Sequence, residues 1–210
     1  MDIKKNVPKA KLILFDWDGV LCDSLPVFYQ LYKTKVGNVS LNAFKKIASR
    51  RIYGEKLLPG KLLDYRKELV TAELFPGIDT TIRTLSITGI KLAIISTNKS
   101  DIIKPILERT GSLKYIDGIY GSDFFIKKPD KMLLEIIEKD FSISRSAMLY
   151  VGDDLTDILF VKAGALRSLF VTYGYTSKKD LGARLKENGT LKIPFISKPQ
   201  ELLAAITKRI

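Results

Sequence analysis

The sequence predicts an α/β protein: a doubly wound parallel sheet with a small helical insert after its first strand. Two observations predict the sheet, because short apolar runs end abruptly at polar residues and segments of helical length separate them. The alternation breaks between residues 25 and 75, and this break predicts the insert. A chain of 210 residues is long enough for one domain carrying such an insert.

The predicted strands are five apolar runs and a weaker sixth that would lie at an edge, namely residues 12–15, 91–95, 116–120, 147–151, 168–172 and 192–196. The predicted helices are residues 79–88, 100–110, 130–140, 155–164, 177–187 and 199–209. In the second helix we expect Ser100 as N-cap and Gly111 as C-cap, with Pro105 causing a kink or a later start. Alternating strands and helices favour a parallel sheet covered on both faces.

The segment from residue 25 to residue 75 has three helical patterns, at 25–36, 41–50 and 61–73, and no convincing strand. We therefore predict an α/β core formed by residues 1–24 and 76–210 and an all-helical insert formed by residues 25–75. The insert holds ten Lys+Arg and four Asp+Glu, so half of the net charge of +12 lies there. This concentration favours an insert that faces an anion, whereas the net charge alone would fit a solvated, lysine-rich surface.

The composition excludes several kinds of chemistry. The chain has no histidine, which excludes Ser-His-Asp, Cys-His and histidine-ligated metal mechanisms. A single cysteine, Cys22, excludes an internal disulfide and a cysteine-cluster zinc site, and we expect it to be a packing residue. No apolar stretch has the length of a signal peptide core or a membrane span, so we predict a cytoplasmic protein.

An acidic loop follows the first predicted strand directly. It begins with Asp16, Trp17 and Asp18, and ligands of open α/β sheets bind beyond the carboxyl ends of the strands. Two aspartates two positions apart can point into one site if the chain stays extended. Asp23 and Ser24 fit the alternative of capping the next helix, and Trp17 is expected to pack on the insert or to contribute only its backbone.

A second acidic cluster, Gly152-Asp153-Asp154-Leu155-Thr156-Asp157, ends another predicted strand. Parallel strands bring both clusters to one edge of the sheet, where several carboxylates repel one another and need a cation. Carboxylate oxygens together with waters suit Mg²⁺. The alternative is that Asp154 and Asp157 cap and begin the following helix, and for Asp154 the two readings are equally supported.

Two further strand ends add polar groups to the predicted site. Ser96, Thr97 and Asn98 place a hydroxyl and helix amides where they could hold a phosphoryl group, although the pattern is also that of an ordinary N-cap. Lys128 stands immediately before Pro129, which we expect to start a helix. Without the other three segments, that lysine would be taken for a surface residue.

In these four motifs the sequence resembles the haloacid dehalogenase-like hydrolases over nearly its whole length. The first motif is Asp16 to Ser24, the second ends at Ser96 or Thr97, the third is Lys128-Pro129 and the fourth is Gly152 to Asp157. The resemblance implies a Rossmann-like core, and the insert resembles the helical cap of the phosphoglycolate phosphatase and β-phosphoglucomutase branch.

The resemblance also implies a role for each residue in a phosphatase that forms an aspartyl-phosphate. Asp16 would be the nucleophile, Asp18 the general acid and base, and Lys128 would offset negative charge. The phosphate-binding residues implied are Ser96, Thr97 and Asn98. The implied Mg²⁺ ligands are Asp16, the backbone carbonyl of Asp18 and Asp153. Asp157 would either bind the ion directly or hold one of its ligands.

The predicted function is a Mg²⁺-dependent phosphatase for a small phosphorylated metabolite. One alternative is a sugar-phosphate mutase, disfavoured because the similar mutases use a histidine of the insert that this chain lacks. The other is a basic binding protein with a vestigial active site. We expect neither nucleic acid nor a membrane as a partner, and either a monomer or a homodimer. Candidates for contacting the leaving group are Tyr29, Tyr32, Arg50, Arg51, Tyr53 and Lys56.

Overall fold

The computed structural model describes residues 9–49, 66–189 and 193–209 as a parallel sheet between two layers of helices, beside a small helical cluster. The strands are β1 (Leu12–Phe15), β2 (Cys22–Asp23), β3 (Glu73–Leu74), β4 (Lys91–Ile95), β5 (Gly118–Tyr120), β6 (Met148–Gly152), β7 (Arg167–Val171) and β8 (Phe195–Ile196). The helices are α1 (Leu25–Lys35), α2 (Leu41–Ser49), α3 (Arg66–Leu69), α4 (Ile78–Ile87), α5 (Ser100–Arg109), α6 (Met132–Phe141), α7 (Leu155–Gly164), α8 (Lys178–Glu187) and α9 (Leu202–Thr207).

Six strands form one parallel sheet in the order β5-β4-β1-β6-β7-β8. Strand β1 lies at its centre and alternates between two cores, with Ile13 and Phe15 facing one helix layer and Leu12 and Leu14 facing the other. Helices α4, α5 and α9 cover the first face, and α6, α7 and α8 cover the second. Because both faces are buried, the strand is apolar at every position, as the predicted doubly wound α/β fold requires.

The predicted bounds hold for β1, β4 and α7, and the other elements differ at their ends. Strand β5 starts at Gly118. The residue before it, Asp117, donates from its backbone N–H to the carbonyl of Leu92 and accepts from the N–H of Leu92 at its carboxylate. Helix α6 begins at Met132, so the prediction that Pro129 starts it was wrong. The predicted helix at 199–209 divides into a 3₁₀ turn at 199–201 followed by α9.

Three details of α5 differ from the prediction. Lys99 occupies the N-cap position, and Ser100 is the first helical residue, with its hydroxyl and backbone N–H both donating to the carboxylate of Asp123. At the other end the C-cap is Thr110, and Gly111 follows it with a φ of 68°. The helix runs from Ser100 to Arg109 through Pro105, so the proline does not delay its start.

The helices that follow β2 pack around a cluster of their own. Its buried members are Leu25, Phe28, Phe44, Ala48, Leu69 and Ile102, the last of which belongs to α5. The prediction of an all-helical insert was wrong at its end, because Glu73 and Leu74 form β3 and pair antiparallel with Cys22 and Asp23. Residues 61–65 of the predicted third helix lie outside the described residues.

The chain enters and leaves the insert at adjacent points of the core. Strands β2 and β3 hold the two connections side by side, and the backbone N–H of Phe75 donates to the carbonyl of Leu21. The guanidinium of Arg109 donates to the carbonyls of Val70 at 2.6 Å and Ala72 at 2.5 Å. Helix α5 therefore anchors the returning connection to the sheet.

None of the described helices combines the length with the apolar character that crossing a bilayer requires.

Candidate active site

The carboxyl ends of β1, β4 and β6 meet at one edge of the sheet. In the register of these strands Phe15 lies opposite both Ile94 and Val151. Asp16, which follows Phe15, is therefore a neighbour of the residues that follow β4 and β6. The structure brings the two acidic clusters of the sequence to this edge and adds Lys128 from the loop before α6.

An ionic network lies at the centre of the site. The Nζ of Lys128 donates to Asp16 Oδ1 at 2.6 Å and to Asp157 Oδ1 at 2.7 Å. The hydroxyl of Tyr150 donates to the same Asp157 oxygen at 2.6 Å and lies 3.3 Å from Lys128 Nζ. The exposed fractions of the Lys128, Asp16 and Asp157 side chains are 2%, 9% and 0%. This lysine is therefore a buried cation of the site, although Lys127 beside it is exposed.

The charges of this network act on one another strongly because water is excluded. Burial and the negative charge of Asp157 raise the pKa of Asp16 well above its usual value, against the opposing effect of Lys128. Burial would lower the pKa of Lys128, but the carboxylates of Asp157 and Asp16 outweigh it and raise that pKa well above its usual value. Lys128 therefore stays protonated as the counter-ion of these carboxylates.

Asp157 is fully engaged by protein donors. Its Oδ1 accepts from Lys128 and Tyr150, and its Oδ2 accepts from the backbone N–H groups of Asp153 at 2.8 Å and Asp154 at 3.1 Å. A carboxylate has about four acceptor positions, so these four bonds use its capacity. Asp157 thus fixes both the lysine and the loop that carries Asp153.

Asp154 caps α7. Its side chain accepts a hydrogen bond from the backbone N–H of Asp157 at 3.0 Å, and Asp157 bonds back to the N-cap backbone, which completes a capping box. Burial and the charge of Asp157 raise the pKa of Asp154 to about 6. Of the two readings that the sequence left open for Asp154, its contacts favour the helix cap, and the group of three carboxylates that lie together does not include it.

Asp18 accepts hydrogen bonds from two neutral side chains. The hydroxyl of Ser24 donates to Asp18 Oδ1 at 2.5 Å, and the amide of Asn98 donates to Asp18 Oδ2 at 2.8 Å. The Ser24 hydroxyl also lies 2.8 Å from the hydroxyl of Tyr175. Ser24 occupies the N-cap position of α1, but its side chain forms no cap bond there, so the expectation that it caps the helix was wrong. Its hydroxyl is committed to Asp18.

The three residues predicted to bind phosphate differ in placement. Ser96 is buried, and its hydroxyl accepts from the backbone N–H of Asn98 at 2.9 Å. Asn98 is buried and reaches Asp18, as described above. The side chain of Thr97 is exposed. Of the two hydroxyls that the sequence left open, that of Ser96 is the one enclosed with the other site residues.

The loop after Asp18 packs directly on Asp153. Gly19 has a φ of 79°, and a Cβ at this position would collide with the Asp153 carboxylate and approach the Tyr175 ring to 2.8 Å. The backbone N–H of Tyr175 donates to the same carboxylate, at Oδ2, at 2.8 Å. Burial and the charge of Asp154 raise the pKa of Asp153 well above its usual value. The glycine is therefore required both by conformation and by the close approach.

The donor set fits a divalent cation. Asp16, Asp153 and Asp157 are buried, with one carboxylate oxygen of each within 4.8 Å of the others. Because protein donors already occupy Asp157, Asp16 and Asp153 are the members of this group with an oxygen available to an ion. Burial raises the pKa values of Asp16 and Asp153, and the negative charges of the neighbouring carboxylates raise them further. A bound cation would offset the negative charge that Lys128 does not neutralise. Oxygen ligands of this kind are those that Mg²⁺ prefers.

Sequence reasoning missed Tyr150 and Tyr175 as site residues. Tyr150 points from β6 towards Lys128, and Tyr175 lies in the loop after β7, another strand whose carboxyl end meets this edge. The rule that placed Asp16 and Asp153, that polar residues after parallel strands meet, would also have indicated the Tyr175 loop. Tyr173, in the same loop, donates from its hydroxyl to the carbonyl of Val20 at 2.9 Å.

Several other residues that the sequence singled out pack against neighbouring side chains. Trp17 is fully buried in the core cluster on one face of the sheet, and that cluster also holds Ala72 and Leu74 of the insert. The carbonyl of Trp17 accepts from the N–H of Cys22 at 2.9 Å. Cys22 is buried as predicted. Tyr29 and Tyr32 pack on Phe44 within the insert. The remaining candidates for the leaving group lie outside the described residues, namely Arg50, Arg51, Tyr53 and Lys56.

Comparison with known proteins matches this sequence to a family. The family model described as haloacid dehalogenase-like hydrolase matches residues 13–171, from β1 to the end of β7. That span includes the four motif segments at the edge of the sheet. The chain therefore belongs to the haloacid dehalogenase-like hydrolases.

Within this family the chain is similar to phosphoglycolate phosphatases. It is 34% identical to that of Agrobacterium fabrum over 200 residues, which cover 80% of this chain and 83% of the relative. It is 28% identical to that of Vibrio parahaemolyticus, covering 82% and 88%. The crystal structure of a predicted phosphoglycolate phosphatase from Haemophilus somnus has the same fold, with a TM-score of 0.73 at 20% identity, covering 94% of this chain and 98% of that one.

Proposed function

We propose that this hydrolase is a Mg²⁺-dependent phosphatase that cleaves a small phosphorylated metabolite through an aspartyl-phosphate on Asp16. The chain is a phosphoric monoester hydrolase, as its family and its phosphoglycolate phosphatase relatives indicate. The observation that carries the proposal is the contact between Asp16 and Lys128 inside a group of buried carboxylates. It supports a carboxylate nucleophile that is held in place and partly neutralised by a fixed cation.

Asp16 is the proposed nucleophile. One of its oxygens, Oδ1, is bonded to Lys128 Nζ, which fixes the carboxylate at the end of β1. Attack on phosphorus forms an Asp16–phosphorus bond and breaks the bond to the ester oxygen, which leaves with the electron pair. Lys128 offsets the charge that accumulates on the phosphoryl oxygens, and phosphoryl transfer depends chiefly on such positioning and charge.

Asp18 is the proposed general acid and base. It protonates the departing ester oxygen and then takes a proton from the water that hydrolyses the aspartyl-phosphate. Its placement two residues beyond the nucleophile, held on both oxygens by Ser24 and Asn98, supports this role. Ser96 and Asn98, which are enclosed with it, are the proposed phosphoryl ligands, with exposed Thr97 contributing at most its backbone.

The proposed metal ligands are Asp16, the backbone carbonyl of Asp18 and Asp153. Asp157 belongs to the same group of carboxylates, and its four protein donors support a role in which it holds Lys128 and the Asp153 loop next to the ion. When bound, Mg²⁺ supplies positive charge that neutralises the phosphoryl oxygens and the carboxylates.

Residues 25–75 are proposed as a cap over this edge of the sheet, connected to the core at β2 and β3. A helical cap that closes over a site favours a small substrate. Phosphoglycolate is the first metabolite to test, because relatives that cover most of the chain carry that name. A cytoplasmic location and a monomeric or homodimeric state remain predictions of the sequence.

The test is phosphate release from a panel of esters. The panel contains phosphoglycolate, sugar phosphates, nucleotides and p-nitrophenyl phosphate, each assayed with Mg²⁺ and with EDTA, on wild type and Asp16→Asn. We expect release that requires Mg²⁺ and is lost in the variant, and the best ester identifies the substrate class. Release that persists in Asp16→Asn would rule out the aspartyl-phosphate, and no release from any ester would rule out the phosphatase.

A further inference from the structure

Tyr175, in the loop after β7, contacts both Asp153 and the serine that holds Asp18. The backbone N–H of Tyr175 donates to Asp153 Oδ2 at 2.8 Å, and its hydroxyl lies 2.8 Å from the Ser24 hydroxyl. Ser24 in turn donates to Asp18 at 2.5 Å. Tyr175 therefore joins the loop that carries Asp153 to the hydrogen bonds that hold Asp18.

While Asp18 is ionised, proton counting fixes the direction of these bonds. A serine hydroxyl has one proton, and that of Ser24 is donated to the Asp18 carboxylate. The Ser24 oxygen must then accept from Tyr175, so the chain runs from the Tyr175 hydroxyl to Ser24 and from Ser24 to Asp18. Each donor in such a chain strengthens the next bond, since it polarises the hydroxyl that it contacts.

The ring of Tyr175 is held by the residues around it. On one side it packs against the Gly19 backbone, where a Cβ would approach the ring to 2.8 Å. On another side it packs edge-on against Phe28 of α1, with ring centroids 6.5 Å apart. Gly174 allows the loop to lie this close, because a Cβ there would collide with the Gly19 carbonyl. The packing of the ring therefore fixes the position of the Tyr175 hydroxyl beside Ser24.

We propose that Tyr175 is a positioning residue that sets the orientation of the Asp18 carboxylate through Ser24. The inference rests on the proposed function, in which Asp18 is the general acid. Tyr175 touches neither the nucleophile nor the reacting phosphorus in this scheme, and it acts through the serine. Tyr175 belongs to none of the four sequence motifs.

The role predicts a dependence on the leaving group. An alkyl phosphate releases a strongly basic alkoxide and needs a proton from Asp18, whereas p-nitrophenyl phosphate releases a weakly basic phenolate and needs little help. Loss of orientation at Asp18 should therefore slow alkyl esters selectively. The quantity to compare is kcat/KM, because it reports the steps up to departure of the leaving group and excludes the later hydrolysis of the aspartyl-phosphate.

The test uses Tyr175→Phe, with phosphoglycolate and glycerol 3-phosphate as alkyl esters and p-nitrophenyl phosphate as the aryl ester. The substitution removes the hydroxyl and keeps the ring and the backbone bond to Asp153. We expect kcat/KM for the alkyl esters to fall about 5- to 10-fold, the effect of one lost hydrogen bond, and that for the aryl ester to fall less than about 2-fold.

Tyr173→Phe is the matched control. It makes the same change two residues earlier in the same loop and removes a hydroxyl bond to the Val20 carbonyl instead of one to the Ser24 hydroxyl. We expect it to leave the ratio of alkyl to aryl kcat/KM unchanged. Thermal unfolding of both variants shows whether either has lost stability. Equal losses on both esters in Tyr175→Phe, or the same change of ratio in Tyr173→Phe, would overturn the inference.

Two further variants test the path and separate the inference from the function. If Tyr175 acts through Ser24, then Tyr175→Phe should have no added effect in a Ser24→Ala background, and additive losses would overturn that path. Asp18→Asn should show the same ester selectivity more strongly. If Asp18→Asn is selective and Tyr175→Phe is not, the inference fails and the proposed function stands. If Asp18→Asn shows no selectivity, the acid role of Asp18 fails, and the inference fails with it.

Discussion

Asp16 and Asp18 are separated by one residue, yet their carboxylates lie in opposite environments. Asp16 is buried beside the ammonium of Lys128 within a group of carboxylates. Asp18 is half-buried and accepts hydrogen bonds from a hydroxyl and an amide. The fixed cation holds the proposed nucleophile in place and offsets part of its charge, whereas Ser24 and Asn98 hold Asp18 through neutral donors. The comparison supports the two different roles proposed for these carboxylates.

The largest expected effect comes from removing the two carboxylates separately. Asp16→Asn should reduce kcat/KM on every ester at least about 10³-fold, because no nucleophile remains. Asp18→Asn should cost about 10² to 10⁴-fold on alkyl esters and much less on p-nitrophenyl phosphate, because only the proton donor is lost. Parallel steady-state assays of both variants on both kinds of ester measure this. Identical ester profiles would show that the two environments do not correspond to two roles.

Removing the cation should be nearly as severe and should affect stability as well. Lys128→Met leaves Asp16 and Asp157 buried without their shared partner, which we expect to cost about 3 kcal/mol of unfolding free energy and about 10²-fold in kcat. Lys127→Met is the matched control, since that neighbouring side chain is exposed. Urea unfolding and phosphate release measure the two effects. A Lys128→Met protein as stable as the Lys127→Met protein would contradict the buried ion pair.

Removing the hydroxyl of Tyr150, beside the ionic network, should have a smaller effect on stability. Tyr150→Phe removes a buried hydroxyl donor to Asp157, and we expect a loss of roughly 1–2 kcal/mol in unfolding free energy. Tyr120→Phe removes the corresponding bond to Asp140, an exposed residue, and should cost less than about 1 kcal/mol. Denaturation of the two variants under the same conditions tests the difference. An equal cost would mean that burial adds nothing to the bond at Asp157.

The smallest effect concerns an ion pair near the surface, between Glu138 and Arg145, which are joined at 2.8 Å. Burial would raise the pKa of Glu138, but its hydrogen bonds with Arg145 outweigh this and lower it below the ordinary value of 4.5. The native state therefore binds the proton more weakly than the unfolded state. The stabilisation is present above about pH 4.5 and is lost as the pH falls through the lowered native pKa.

Glu138→Gln should accordingly cost about 0.5 kcal/mol at pH 7, discounted for partial exposure, and the cost should vanish in acid. Unfolding curves of wild type and variant between pH 7 and pH 3 measure it. A cost that grows as the pH falls would reverse the sign of the pKa shift. The buried pair at Lys128 exceeds this effect because no water replaces the lost partner there.

Much of the core and of the site could be predicted from local sequence. Strand β1 was predictable because four consecutive apolar residues end at Asp16, and α7 because Asp154 and Asp157 form a recognisable capping box. The meeting of the two acidic loops followed from the geometry of parallel strands. The end of the insert was not predictable in this way, since Glu73 and Leu74 become a strand only by pairing with Cys22 and Asp23.

The sequence by itself determined the fold class, the family and the acidic residues of the site, because apolar periodicity and short motifs are local properties of the chain. Only the tertiary structure decided which neighbour of each motif is enclosed. It enclosed Ser96 and left Thr97 exposed, it buried Lys128 against Asp16, and it assigned Ser24 to Asp18 instead of to a helix cap. It also brought Tyr175 to that serine across 151 residues of chain. Burial and hydrogen-bond partners depend on residues that are distant in sequence, and no local pattern specifies them.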